Sequence, residues 1–145
     1  MAQQSLMTIV DVAKGSVLAY NEKNWDKVRE TVTPNVVYEE VATQRRAQGV
    51  NDVLTIWRGW AAALPDSKAT FNKDYVSGNT VVLELTWNGT HTGALRSPNG
   101  DIAPTGKRIT LRACQILEIA GEKVSSIRQY FDMATLLEQL GVMKG

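Results

Sequence analysis

The sequence predicts an α+β fold in which helices come first, long antiparallel strands follow and one short helix closes the chain. Three observations predict it. Apolar residues recur at helical spacing as far as Leu64, alternate with period two from Lys68 to Phe131, and return to helical spacing after Asp132. The 145 residues (1–145) read as a single domain, with no repeat and no internal linker.

Leu6, Ile9, Val10, Ala13, Val17 and Tyr20 form the apolar stripe of a first helix that stops near Asn21. Asn24 caps a shorter second helix, which ends before Thr33-Pro34. A brief strand runs from Asn35 to Glu40. A polar loop holding the basic doublet Arg45-Arg46 leads to a third helix from about Gly49 to Leu64, stopped by Pro65. Its buried stripe is Val50, Val53, Leu54, Trp57, Trp60 and Ala61.

Ala69 to Val76 is a strand closed by the turn Ser77-Gly78-Asn79. The next, Thr80 to Gly93, puts Val81, Leu83, Leu85, Trp87, Gly89 and His91 on one face. Turn signals at Pro98-Asn99-Gly100 and Pro104-Thr105-Gly106 follow. Ile109 to Ile119 carries Leu111, Ala113, Gln115 and Leu117 on its apolar side. A hairpin at Ala120-Gly121-Glu122-Lys123 leads to a last strand, Val124 to Phe131, whose parity is indecisive. Asp132 caps a final helix with Met133, Leu136, Leu137 and Leu140 as its stripe and Gly141 as its stop. A long sheet with helices on one face curls round them, which leaves a pocket between the two layers.

Hydrophobic residues at 43% and charged residues at 21% are ordinary globular values and exclude a disordered or low-complexity chain. Sixteen lysines and arginines against 15 acids give a net charge of +1, without the basic excess of a nucleic-acid or anionic-membrane binder. Cys114 is the only cysteine, so no intrachain disulfide forms. The N-terminus lacks the basic region of a signal peptide, and no run reaches the roughly 18 apolar residues of a membrane span. A cytoplasmic location is the expectation. One His and one Cys on different strands make no ordinary metal site, and no phosphate-binding loop or Gly-x-Gly-x-x-Gly fingerprint opens a helix. The expectation is therefore no cofactor and no metal.

Several residues carry candidate chemistry. His91, the single histidine, is either a pocket acid/base or a hydrogen-bonded core or rim residue. Glu40 shares a face with Val36 and Tyr38. It is either a desolvated general base or a rim carboxylate beside Glu39. Gln115 and Gln129 can donate and accept hydrogen bonds to a bound carbonyl or hydroxyl. Asp132 reads as the cap of the last helix rather than as an acid. Tyr20, Tyr38, Trp57, Trp60 and Trp87 are either core aromatics or the walls of a pocket for a flat, apolar ring system. Cys114 faces away from Gln115, which argues against a Cys/His nucleophile pair.

Trp87-Asn88-Gly89-Thr90-His91-Thr92-Gly93, Pro104-Thr105-Gly106-Lys107, and Tyr130-Phe131-Asp132 leading to Leu136-Leu137-Glu138-Gln139-Leu140-Gly141 together carry a resemblance. The pattern resembles the SnoaL-like polyketide cyclases of the nuclear-transport-factor-2-like superfamily, which also holds limonene epoxide hydrolase and ketosteroid isomerase. The resemblance implies a cone-shaped, mostly antiparallel curved sheet wrapped around three N-terminal helices, and a homodimer through the outer sheet face. In the cyclases a His on the penultimate strand and an Asp on the last are similar in position to Gln115 and Gln129. Limonene epoxide hydrolase places an Arg and an Asp at positions similar to His91 and Gly93, and a second Asp at that of Gln129. The sequence departs from both sets, because Gln neither shuttles a proton at neutral pH nor replaces an ionised carboxylate.

Two functions follow as expectations. One is a small-molecule enzyme performing cofactor-free acid/base chemistry (aldol-type cyclisation, isomerisation or hydrolysis) on a hydrophobic carbonyl-bearing or cyclic substrate. It would use His91 and Glu40 as catalytic groups, with Tyr20, Tyr38, Trp57, Trp87, Gln115 and Gln129 binding substrate. The other is a non-catalytic small-molecule-binding or dimerisation module.

Overall fold

The structure, a computed structural model, describes residues 7–96 and 100–142. Its elements are α1 (Ile9–Asn21), α2 (Trp25–Thr31), β1 (Val32–Glu40), β2 (Arg45–Gln48), α3 (Val50–Ala63), β3 (Lys68–Ser77), β4 (Thr80–Thr90), β5 (Arg108–Ala120), β6 (Lys123–Phe131) and α4 (Met133–Leu140). The expected α+β class is the observed one. The six strands form one sheet in the order β2-β1-β6-β5-β4-β3, antiparallel everywhere except between β1 and β6.

Helix ends obey local chemistry. Thr8 and Asp11 close a capping box on α1, and the Asn24 side chain accepts from the Lys27 amide to start α2. Asp132 accepts from the Ala134 amide at 3.1 Å and from the Thr135 hydroxyl at 2.7 Å, as its cap reading requires. Gly141 ends α4 with φ 77°, a left-handed conformation that favours glycine. Of the expected α1 stripe, Leu6 lies outside the described residues, as do Pro98 and Asn99 of the first turn signal.

Three expectations need correction. The first strand begins at Val32, not Asn35, and includes Pro34. Its ladder with β6 is interrupted between Val32 and Val37, so the donor that Pro34 lacks is not required there. The loop expected around Arg45-Arg46 is instead an edge strand, whose Arg45 lies opposite Glu40. Finally, β4 stops at Thr90. The amides of Thr92 and Gly93 both donate to the Ala63 carbonyl, at 3.1 and 3.0 Å, drawing the chain onto the end of α3. A Cβ on Gly93 would sit 2.0 Å from the Ala62 carbonyl oxygen, so this close approach requires glycine.

The inner sheet face follows the expected parity on β4 and β5, with Val81, Leu83, Leu85, Leu111, Gln115 and Leu117 buried. The indecisive parity of β6 has a cause in its pairing. A register shift near Ile119 lets Val124 and Ile127, three apart, both turn inward, and Gln129 follows on the same face. Two apolar clusters result. The larger lies under α1, α2 and α3, and the smaller gathers Leu64, Leu95, Ile109, Leu136 and Leu140.

Candidate functional site

Strand register builds one polar row across the inner face of the sheet. Arg45 on β2 pairs with Glu40 on β1, Glu40 with Gln129 on β6, and Gln129 with Gln115 on β5. Residues directly opposite on one face have touching side chains, and here they join through hydrogen bonds. Trp87 Nε1 donates to Gln129 Oε1 at 3.2 Å, and Gln115 Nε2 donates to the same oxygen at 3.1 Å. Gln129 Nε2 donates to the Tyr38 hydroxyl at 2.8 Å, which in turn donates to Glu40 Oε2 at 2.7 Å.

Glu40 is completely buried. It survives burial because its oxygens are saturated. Besides Tyr38, Trp60 Nε1 donates to Oε2 at 2.8 Å, while the Thr43 hydroxyl at 2.6 Å and Arg45 Nη2 at 2.7 Å serve Oε1. Burial first, then the charge of Glu40 and its hydrogen bond, raise the Tyr38 phenol well above its ordinary value; Gln129 and Trp57 oppose the shift.

Gln129 and Gln115 of this row, with Tyr38 and Trp87, form one wall of a cavity of about 80 Å³. All six residues expected to bind substrate line it: Tyr20 from α1, Tyr38, Trp57 from α3, Trp87, Gln115 and Gln129. Ser16, Val17, Trp60, Leu64, Ser67 and Ile109 complete the lining. Tyr20 stands edge-on to Trp87 with centroids 5.2 Å apart, and Tyr38 edge-on to Trp57 at 5.4 Å. The Tyr20 and Ser67 hydroxyls lie 2.7 Å apart. Burial pushes the Tyr20 phenol up to about 12, with that contact holding it back in part. The volume is roughly half that of the ~150 Å³ cavity that admits benzene.

The two expected catalytic groups do not meet at this cavity. Glu40 lies behind its wall, screened by Tyr38 and Trp60. His91 is fully buried past the end of β4 and is not part of the lining. The Thr105 amide donates to His91 Nδ1 at 3.2 Å, which leaves the ring proton on Nε2, and Nε2 has no partner. Burial lowers the His91 pKa, and the Gly93 backbone offsets part of this without reaching hydrogen-bonding geometry. Cys114 lies opposite Glu84 on the other sheet face, its thiol pushed up by burial and by that carboxylate. Among the described residues no group of three or more His, Cys, Asp or Glu could hold a metal ion, and no helix is long and apolar enough to cross a membrane.

Arg45 and Thr43 escaped the sequence reading because their segment looked like a solvated loop. A signal existed for Arg45, a charge five residues after Glu40 across a tight reversal. Ser67 gave none.

The chain is similar to solved structures of low sequence identity. A candidate SnoaL-like polyketide cyclase from Jannaschia sp. has 15% identity, covering 99% of this chain and 100% of that one, with a TM-score of 0.83. IdmH, a candidate polyketide cyclase from Streptomyces antibioticus, has 22% identity over 93% and 99% at 0.78. A hypothetical protein of ketosteroid isomerase-like fold from Catenulispora acidiphila, solved with trimethylamine, has 18% identity over 94% and 96% at 0.78. These likenesses establish the fold. No curated protein matches the sequence at a significant level. The family model for SnoaL-like polyketide cyclase matches residues 10–140, which takes in every described helix and strand but the first residue of α1, and the chain belongs to that family.

Proposed function

We propose that this chain binds a small, largely apolar, ring-bearing molecule in the cavity beneath α1 and α3, holding it by shape and by neutral hydrogen bonds. The observation that carries this reading is the composition of the wall. Aromatic rings surround the space, and the polar atoms facing it belong to amides, indoles and hydroxyls. Such a site orients a ligand and excludes water, which favours ring closure in a flexible chain by confinement alone. Proton transfer from His91 has no support from its position, and Glu40 reaches the cavity only through another side chain.

A second reading keeps acid/base turnover on a carbonyl-bearing or cyclic substrate. The observation favouring it is the 2.7 Å hydrogen bond that places the Glu40 carboxylate behind the Tyr38 phenol, a pair able to take one proton from the cavity, the phenol oxygen receiving it as the phenol's own proton passes to Glu40 Oε2. One experiment separates the two. The purified chain is incubated with compounds from single aromatic rings to polyketide-like and steroid-like polycycles, reading melting temperature and product mass. Binding predicts stabilisation by apolar ring compounds without product. Product that disappears in Tyr38→Phe, while ligand still stabilises that variant, establishes the second reading. No stabilisation by any compound overturns both.

A further inference from the structure

Gln115 is 5% exposed and lines the cavity, yet its Oε1 has no hydrogen-bond partner. The chemistry at the two ends of the polar row fixes which amide atom faces which. Trp87 Nε1 only donates, and Glu40, ion-paired with Arg45 at 2.7 Å, only accepts. Between those ends Gln129 has one consistent orientation, with Oε1 toward Trp87 and Gln115 and Nε2 toward Tyr38. Gln115 must then present Nε2 to Gln129. Turning its amide over would set two acceptor oxygens 3.1 Å apart. The network therefore leaves Oε1 as the amide atom turned away from Gln129, unpartnered, on a side chain that lines the cavity, and burying an amide oxygen without a donor is unfavourable.

We propose that the cavity selects, among small apolar molecules, those that bring a hydrogen-bond donor to Gln115 Oε1: a phenol, an enol or a ring N–H. This rests on the reading of the cavity as a small-molecule site. A carbonyl at the same place meets Oε1 lone pair to lone pair and is rejected, because the side chain that could donate to it is held the other way by Gln129.

Phenol, toluene and benzaldehyde share size and ring, and differ as donor, neither and acceptor. Their dissociation constants are measured by calorimetry on the wild-type chain, on Gln115→Leu and on Gln115→Met, with circular dichroism confirming the fold of each variant. The wild-type chain is expected to bind phenol more tightly than benzaldehyde. The toluene-to-phenol ratio of dissociation constants is expected to fall about tenfold in the folded variants, one hydrogen bond's worth. An unchanged ratio, or a wild-type preference for benzaldehyde, overturns this proposal and leaves the cavity as a binding site. Failure of all three compounds to bind the wild-type chain removes the underlying reading, and the proposal with it.

Discussion

The wall of the cavity and the corner around His91 each hold a buried polar atom without a partner, Gln115 Oε1 in one and His91 Nε2 in the other. Thr33 Oγ1 is a third such side-chain atom among the described residues. The first two differ in kind. Gln115 offers an acceptor on an amide that does not titrate, on a side chain that lines the cavity. His91 offers a donor on a ring that does titrate, sealed where the chain closes onto α3. The histidine ring and the cavity therefore lie apart, as the proposed binding reading requires.

The largest effect that could break this contrast lies at Glu40. Glu40→Ala leaves Tyr38, Thr43, Trp60 and Arg45 without their common acceptor. Breaking a buried pair in this way is expected to cost on the order of 3 kcal/mol, read from urea unfolding as a shifted midpoint at constant slope. A loss below about 1 kcal/mol, the worth of a single net hydrogen bond, would mean that the polar row does not act as a unit. The cavity wall would then owe its geometry to the aromatic packing alone.

Glu40 also shows what the sequence could disclose. Its strand and the face it shares with Tyr38 were legible from period two, though not whether that face turned inward or to the rim; Trp87 and Gln115 were legible the same way, and Gln129 through the family resemblance alone. What was not legible is the partnership. Glu40 meets Gln129 through a parallel pairing of strands some 90 positions apart in the chain (Tyr38 and Gln129 are 91 apart), and no local pattern specifies a parallel pair. Arg45 was hidden for a related reason, since a four-residue polar edge strand has neither the length nor the alternation to announce itself. His91 is buried, as parity carried along β4 predicts, but the named strand ends at Thr90 and the ring is not among the cavity's lining.

A smaller effect sharpens the contrast from the side of α4, which covers the second apolar cluster with Leu136 and Leu140. Asp132→Ala removes the helix cap and is expected to lower stability by about 1 kcal/mol. Because the side-chain hydrogen bonds of Asp132 go to Ala134 and Thr135 in α4, the toluene-to-phenol ratio should stay at its wild-type value. A shifted ratio would show that the cavity and the second cluster are not independent.

The smallest effect is a slope with pH. His91 has a lowered pKa in the folded chain, so below its ordinary 6.5 the unfolded chain binds the extra proton more readily than the folded one. The stability tied to neutral His91 is therefore complete above 6.5 and lost as pH falls through the lower folded value. Asp66 is shifted downward as well, by hydrogen bonds from Thr90, but its losses begin below its ordinary 3.8 and leave the histidine window clear. Urea midpoints at roughly pH 7.5 and pH 5.5 should differ less in His91→Gln than in the wild-type chain. The preference for phenol should be the same at both values, since neither Gln115 nor a phenol changes charge between them. If the preference moved with pH while the slope did not, the titrating group would sit at the cavity after all, and the division between the two regions would be reversed.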